Sequence, residues 1–351
     1  MPERSEDKTG LVLQGGGSRG AYQVGVLRAI AEITGPTDNP FPIISGTSVG
    51  AINASSLASN ANDFVESVQR LEALWRGLTT QSIFDARFSS VAATLWRIIR
   101  TFWFRGKTNR YGWLDNRPLR KLLEREFDRN GVDAAYASGA LQSLCITASC
   151  YTCGVAVTYF EGVNTIEPWM RARREGKPDT IRVDHLMASS ALPFIFPAVR
   201  IDSTYLGDGA LRLTAPLSPI IRMGADKAVV IGVRDPEITI PSANEEPVYP
   251  SFGEMSGHAL DILFNDNLEA DIERVLRINR LLGHVDEARQ DETRLRKFEL
   301  LTLLPSQDLR KIAQRYEHEM PKTLRFILKS MGAWHTDGRL PSYLLFEPGY
   351  I

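Results

Sequence analysis

Leu11-Val12-Leu13-Gln14-Gly15-Gly16-Gly17-Ser18-Arg19-Gly20 and Pro42-Ile43-Ile44-Ser45-Gly46-Thr47-Ser48-Val49-Gly50-Ala51-Ile52-Asn53-Ala54 decide the fold class. Each holds a short apolar run that stops at glycine, the mark of a buried strand. Between them Tyr22, Val26, Ala29, Ile30 and Ile33 recur at helical spacing, and Gly35 to Pro40 read as a loop. A second helix opens at Ala51. Strand, helix, strand, helix in that order implies parallel strands joined by right-handed crossovers.

Outward from this unit, residues 63–130 read as mostly helical and Leu144 to Phe160 as β-like. Ala188 to Pro197 is a Pro-containing turn segment, and Val199 to Leu206 is a strand running into Gly207-Asp208-Gly209-Ala210. Lys227 to Val233 is another strand. Asp261 to Leu282 and Leu309 to Met331 are amphipathic helices, with a late strand at Phe298 to Leu304. The expected architecture is α/β, with a mainly parallel central sheet flanked by helices. The expected organisation is a polar tail over 1–9 and a main domain over 10–235 that carries a helical insertion at about 63–130. A helical C-terminal region over 236–351 packs on that domain.

The 351 residues are 43% hydrophobic and 24% charged, the composition of a folded domain, and the net charge of −1 gives no global pull toward nucleic acid. Met1 to Lys8 lacks the apolar core of a signal peptide, and no run of 18 apolar residues occurs. The expected location is therefore the cytoplasm, with peripheral membrane contact as an extension of that reading. The three cysteines, Cys145, Cys150 and Cys153, build no disulfide framework in a chain this long, and Cys150-Tyr151-Thr152-Cys153 reads as ordinary strand cysteines facing opposite sides.

Gly15, Gly17 and Gly20 satisfy the dinucleotide-binding pattern, but that site needs an acidic residue at the end of the next strand. Asp38 precedes that strand, and the strand ends in Gly46-Thr47-Ser48. No Gly-Lys-Ser/Thr follows the loop, so a P-loop fails too. Three glycines at a helix start leave backbone N–H groups crowded together and unshielded, at the positive end of the helix dipole. Such a nest suits a phosphate or the oxyanion of a tetrahedral intermediate; the plain alternative is a tight turn.

Gly46-Thr47-Ser48-Val49-Gly50 lies between a strand and a helix, the setting of a nucleophile elbow. Gly46 and Gly50 are then required because side chains there would strike neighbouring backbone; the plain alternative is an N-capping serine. A serine hydroxyl needs a base. Of the five histidines, His258, His284 and His318 fall on helical stretches, and His335 is the best-placed triad candidate. Asp208 is better placed, after a strand and between two glycines, although an Asp-Gly pair alone signals only a turn.

Gly15 to Gly20, Gly46 to Gly50, Ala188 to Pro197 and Asp208-Gly209-Ala210 together resemble the patatin-like phospholipase family from about residue 10 to residue 235. The resemblance implies a patatin-like three-layer fold, a Ser48–Asp208 dyad, and an oxyanion hole formed by the N–H groups of Gly15, Gly16 and Gly17. It gives Arg19 the basic position of the loop, steadying it or meeting substrate phosphate. It implies no metal and no organic cofactor. The substrate would be a fatty acyl ester of a phospholipid or related glycerolipid at a membrane surface, not a nucleic acid or dinucleotide. The alternatives are a catalytically silent lipid-binding protein and an acyltransferase using the same dyad.

Leu95 to Lys107 combines Trp96, Phe102, Trp103 and Phe104 with Arg97, Arg100, Arg105 and Lys107 and holds no acid. That is the make-up of an interfacial segment that docks on a bilayer; a helix packed on the core shares it.

Overall fold

The computed structural model describes residues 8–35, 38–85, 114–163, 166–235, 249–285, 295–334 and 338–351. The proposed membrane contacts Trp96, Arg97, Arg100, Phe102, Trp103 and Arg105 lie outside them, as does His335.

β1 (Thr9–Leu13) and β2 (Ile43–Thr47) are the two apolar runs, and they pair in parallel from Gly10↔Ile43 to Leu13↔Gly46. Both are central strands covered on two faces, which is why their residues are apolar or small throughout and not alternating. α1 (Gly20–Thr34) provides the crossover between them, and α2 (Val49–Ser59) leaves β2 directly. α2 is built from Ala51, Ala54, Ser55, Ala58 and other small residues, so it can bury almost every side. α3 (Phe64–Arg76) starts at an Asp63 cap that accepts from the Glu66 N–H at 2.9 Å and buries Phe64, Val68, Leu71 and Trp75, one face at 3.6-residue spacing. α4 (Thr80–Ile83), α5 (Arg117–Glu126) and α6 (Arg129–Ser138) complete the described part of the helical stretch.

β3 (Ser143–Cys150) and β4 (Ala156–Gly162) form a hairpin, followed by β5 (Trp169–Arg171), β6 (Arg174–Pro178) and α7 (Val183–Ser189). The stretch read as one strand from Val199 is a hairpin, β7 (Val199–Ile201) and β8 (Thr204–Asp208), turning at Asp202 in a left-handed conformation. α8 (Ser218–Arg222) leads to β9 (Lys227–Ile231), and β10 (Glu299–Leu303) pairs with β9 at one edge. Residues beyond 235 thus contribute a strand to the same sheet.

The sheet order is β10-β9-β1-β2-β3-β4-β6-β5, with β8 paired to β3 and β7 to β8. Strands β10 through β3 are mutually parallel, and beyond β3 antiparallel hairpins enter. The architecture is mixed α/β with a central sheet flanked by helices.

Both long C-terminal helices are interrupted. Asp261 to Leu282 runs from the end of α9 (Phe252–Asp261) through a π-helical turn at Ile262–Asp266 into α10 (Asn267–Leu282). Leu309 to Met331 is α11 (Leu309–Tyr316), a 3₁₀ turn, and α12 (Lys322–Ser330), which begins after Pro321 because proline cannot continue a helix. α13 (Arg339–Leu344) closes the chain.

The expectation for the cysteines is overturned as well. Cys150 and Cys153 are joined by a disulfide, with Cα atoms 5.5 Å apart. Alternation fails because β3 ends at Cys150 and Tyr151-Thr152-Cys153 form the hairpin turn, so the two side chains meet on one side. Cys145 remains a buried thiol.

Candidate active site

β3 places the site. Its residues Ser143 to Thr147 pair with β2, and its next residues, Ala148 to Cys150, pair with β8 running the other way. The other edge of β3 is taken by β4. β2 and β8 therefore share one edge of β3 head to head. Thr47 sits opposite Thr147 and Asp208 opposite Ala148. Ser48, one residue past β2, and Asp208, the last residue of β8, converge for that reason.

Ser48 has φ 56° and ψ −127°, a positive φ rare outside glycine. Holding a serine there costs of order 1–3 kcal/mol, and such strain concentrates where a side chain must be aimed. The elbow glycines explain how the turn closes. A Cβ on Gly46 would lie 2.2 Å from the Gly50 carbonyl oxygen, and one on Gly50 would lie 2.1 Å from the Leu13 carbonyl oxygen. Gly209 is required likewise, since its Cβ would lie 2.1 Å from the Thr147 carbonyl oxygen.

Ser48 Oγ donates to Asp208 Oδ2 at 2.6 Å, and both residues are buried. Asp208 Oδ1 accepts from the Ala210 N–H at 2.9 Å. Burial pushes the Asp208 carboxyl up to about 7, against the hydrogen bonds from Ser48 and Ala210 that pull it down. The Ser48 N–H donates to Ser189 Oγ at 2.9 Å, and that hydroxyl donates to the Thr147 carbonyl at 2.6 Å.

Gly15 faces the elbow closely enough that a Cβ there would lie 3.0 Å from Ser48 Cβ. Gly17 has φ 55° and opens a 3₁₀ turn, Gly17–Arg19, that runs into α1. Behind the loop Gln23 donates to the Gln14 carbonyl at 2.7 Å and Asn53 to Gln23 Oε1 at 2.8 Å, and Trp75 Nε1 donates to Asn53 Oδ1 at 2.8 Å. This buried network holds the loop, the elbow helix and α3 in register. Arg19 is buried, with an ion pair to Asp235 at 2.9 Å and two hydrogen bonds to Ser342 Oγ. Its side chain also meets the Val233 carbonyl at 3.3 Å and the Asp261 carboxylate at 3.7 Å.

Ser48 and Asp208 open onto a narrow cleft, part of it exposed to solvent. Its walls are apolar: Ile52, Leu74, Trp75, Leu78, Ile83, Leu119, Leu122, Leu192, Phe196, Phe264, Leu344 and Phe346. Besides the dyad, Ser190 is the polar side chain on an otherwise apolar and aromatic lining, and no histidine lines it among the described residues.

The model of the patatin-like phospholipase family matches residues 11–221. The chain belongs to that family. Among its relatives, a patatin-like phospholipase domain-containing protein, ZK370.4 of Caenorhabditis elegans, is 41% identical over 75 residues, 20% of this chain and 5% of the relative. Lysophospholipase nte1 of Aspergillus terreus is 51% identical over 53 residues, 15% of this chain and 3% of that protein. The matched stretches are thus a small fraction of these much longer relatives. VipD from Legionella pneumophila aligns over 86% of this chain and 62% of its own at 12% identity and a TM-score of 0.37. A structure of full-length SpcU with full-length ExoU from Pseudomonas aeruginosa aligns over 96% and 70% at 14% identity and a TM-score of 0.30.

For this patatin-like chain, sequence reasoning singled out Ser48, Asp208, the glycines and Arg19, and the fold gathers all of them at one end of the sheet. It missed Ser189, which lay unremarked inside Ala188 to Pro197. It missed Phe264, Ser342 and Tyr343 altogether, since no motif marks them.

Proposed function

We propose that the protein is a serine acyl hydrolase that cleaves fatty acyl esters of phospholipids or related glycerolipids. The observation that carries this is the 2.6 Å hydrogen bond from Ser48 Oγ to a buried Asp208, at the edge of an apolar cleft. The family and the lysophospholipase among its relatives support the same class of substrate.

Ser48 Oγ attacks the acyl carbonyl while Asp208 takes its proton, within hydrogen-bond reach as a general base must be. The tetrahedral oxyanion faces the N–H groups of Gly15, Gly16 and Gly17 at the start of α1, where backbone donors need no reorganisation. Collapse returns the proton from Asp208 to the leaving alcohol and leaves the acyl group on Ser48. Water then enters and gives one proton to Asp208 as its oxygen bonds the acyl carbon; collapse breaks the Ser48 ester, Asp208 returns that proton to Ser48 Oγ, and the fatty acid leaves. The acyl chain lies along Ile52, Leu74, Leu78 and Leu122, while a charged head group stays at the open end because this wall offers it no partner.

The test is fatty acid release from a short-chain chromogenic ester and from mixed phospholipid vesicles by wild type, Ser48→Ala and Asp208→Ala. Loss of nearly all activity in both variants is the expected result. An active Asp208→Ala beside a dead Ser48→Ala would return the base to a histidine. A wild type inert on every ester that still binds vesicles would favour the silent lipid-binding reading.

A further inference from the structure

The glycine loop is held from outside the residues that carry the family pattern. Ser18 Oγ donates to the Ser342 carbonyl at 2.9 Å. Arg19 Nε and Nη2 donate to Ser342 Oγ at 2.9 and 2.6 Å. The Gly17 backbone packs so closely on α13 that a Cβ would lie 2.2 Å from the Tyr343 carbonyl oxygen. The Arg19 guanidinium lies over the Tyr343 ring, 4.0 Å from its centre. Three consecutive residues of the loop thus rest on two consecutive residues of α13, all of them buried except half-buried Gly17.

A second brace meets the same ring. Tyr343 stacks on Phe264 at 5.3 Å and its hydroxyl donates to Asp261 at 2.6 Å. Phe264 belongs to the π-helical turn and presses on Gly15, where a Cβ would lie 2.9 Å from its ring. The Phe264 carbonyl accepts from the side chain of Gln14, the residue before the glycines. Such π turns are rare inside helices, and this one carries the residue that meets the loop.

We infer that Ser342 and Tyr343 are positioning residues for the oxyanion-binding loop, so that α13 is a part of the catalytic apparatus rather than an appendage. This rests on the hydrolase reading of Ser48 and Asp208. Ser342 lines no wall of the cleft and reaches the loop through Ser18 and Arg19, while Tyr343 meets Gly17. Removing the Ser342 hydroxyl leaves two buried Arg19 donors without their acceptor, and the loop must shift to find another. A displacement of a fraction of an ångström at an oxyanion donor lowers the rate without weakening ground-state binding.

The experiment compares wild type, Ser48→Ala, Ser342→Ala and the milder Ser18→Ala on a soluble chromogenic ester, with amide hydrogen exchange of residues 14–20 measured on the same proteins. Ser342→Ala is expected to lower kcat about tenfold or more with KM within about twofold. Exchange over residues 14–20 should rise while that of the elbow, 43–60, stays put. Ser18→Ala should show the same pattern, more weakly, in a protein that stays folded. Tyr343→Phe, which keeps the ring between Arg19 and Phe264, should recover most of the kcat lost in Tyr343→Ala. A Ser342→Ala that melts lower yet keeps wild-type kcat and wild-type exchange over 14–20 would overturn the proposal. If wild type proves as inert as Ser48→Ala, the hydrolase reading fails, and exchange alone then decides whether α13 holds the loop.

Discussion

Ser48 Oγ and Asp208 Oδ2 lie 2.6 Å apart although 160 residues separate them in the chain. Thr147 and Ala148, adjacent on β3, bring them together by pairing with the end of β2 and the end of β8. No cation pairs with Asp208 among the described residues; its partners are a hydroxyl and one backbone N–H. Buried Arg19 and half-buried Asp235, by contrast, form an ion pair in which each charge compensates the other. A buried carboxylate with no compensating cation is a stronger base than a solvated one.

The pH dependence follows from that isolation. Burial lifts the Asp208 carboxyl to about 7, and only its ionised form can accept the Ser48 proton. On a soluble ester, kcat/KM should rise with pH around a midpoint near 7 and level off above it. A rate independent of pH from about 5 to 9 would remove Asp208 as the titrating base.

The same shift sets a stability trade. The folded protein holds the Asp208 proton up to about 7, while an unfolded aspartate releases it near 3.8. Across that window the folded state binds more protons, so this group lowers stability as pH rises and keeps it lowered above 7. Asp208→Asn removes the ionisation. It should be inactive yet melt higher than wild type at about pH 8, by an effect bounded near ~4 kcal/mol, with the gap closing at about pH 4. Equal melting temperatures at both pH values would mean that Asp208 ionises at no cost.

Much of this site was readable in advance because it is made of backbone-limited positions. Gly46, Gly50 and Gly209 each sit where a Cβ would meet a carbonyl oxygen at 2.1–2.2 Å, and such demands leave glycines at fixed offsets in the sequence. The parallel half of the sheet was readable for a similar reason: β1 and β2 are buried on both faces and so are continuous apolar runs. Ser342 and Tyr343 left no mark because one serine hydroxyl accepting from an arginine has no periodicity and no required neighbour. The β7–β8 hairpin was hidden because its turn residue, Asp202, adopts a left-handed conformation without glycine. The disulfide was hidden because alternation assumes that the strand continues past Cys150.

Two glycine replacements should act in opposite directions. Gly17→Ala places a Cβ 2.2 Å from the Tyr343 carbonyl oxygen at a φ of 55°, so the loop must move. It should lose about 100-fold in kcat, the scale of one missing oxyanion donor. Gly25, exposed on α1, has open space around it. Gly25→Ala should keep full activity and gain about 0.5–1 kcal/mol of stability. Melting curves and kcat on one ester read both, and an active Gly17→Ala would show that the loop need not approach α13 so closely.

The apolar cleft predicts a chain-length effect. Leu122 on α5 forms part of the wall beyond Ser48, and Leu122→Trp would fill space that a long acyl chain needs. Relative to wild type, kcat/KM should fall about tenfold or more for long-chain esters and little for short ones, since even one methylene in an apolar pocket is worth about 1–3 kcal/mol. Equal losses for both would place the acyl chain elsewhere.

The Cys150–Cys153 disulfide braces the strand that carries Asp208. The turn it closes donates from the Tyr151 N–H to the Tyr205 carbonyl at 2.9 Å and accepts the Tyr205 N–H on Thr152 Oγ1 at 3.1 Å. Tyr151 also covers Gly207, next to Asp208, so tightly that a Cβ there would lie 2.3 Å from its hydroxyl. Opening the bond therefore frees the far end of β8 before it disturbs the core. In denaturant without reductant, one thiol, that of Cys145, should react, and all three should react after reduction. The paired Cys150→Ser and Cys153→Ser variant should lose about 2 kcal/mol, the low end expected for so short a loop. Three reactive thiols in the unreduced protein would show the pair to be a dithiol, and β8 would then be held by its backbone hydrogen bonds alone.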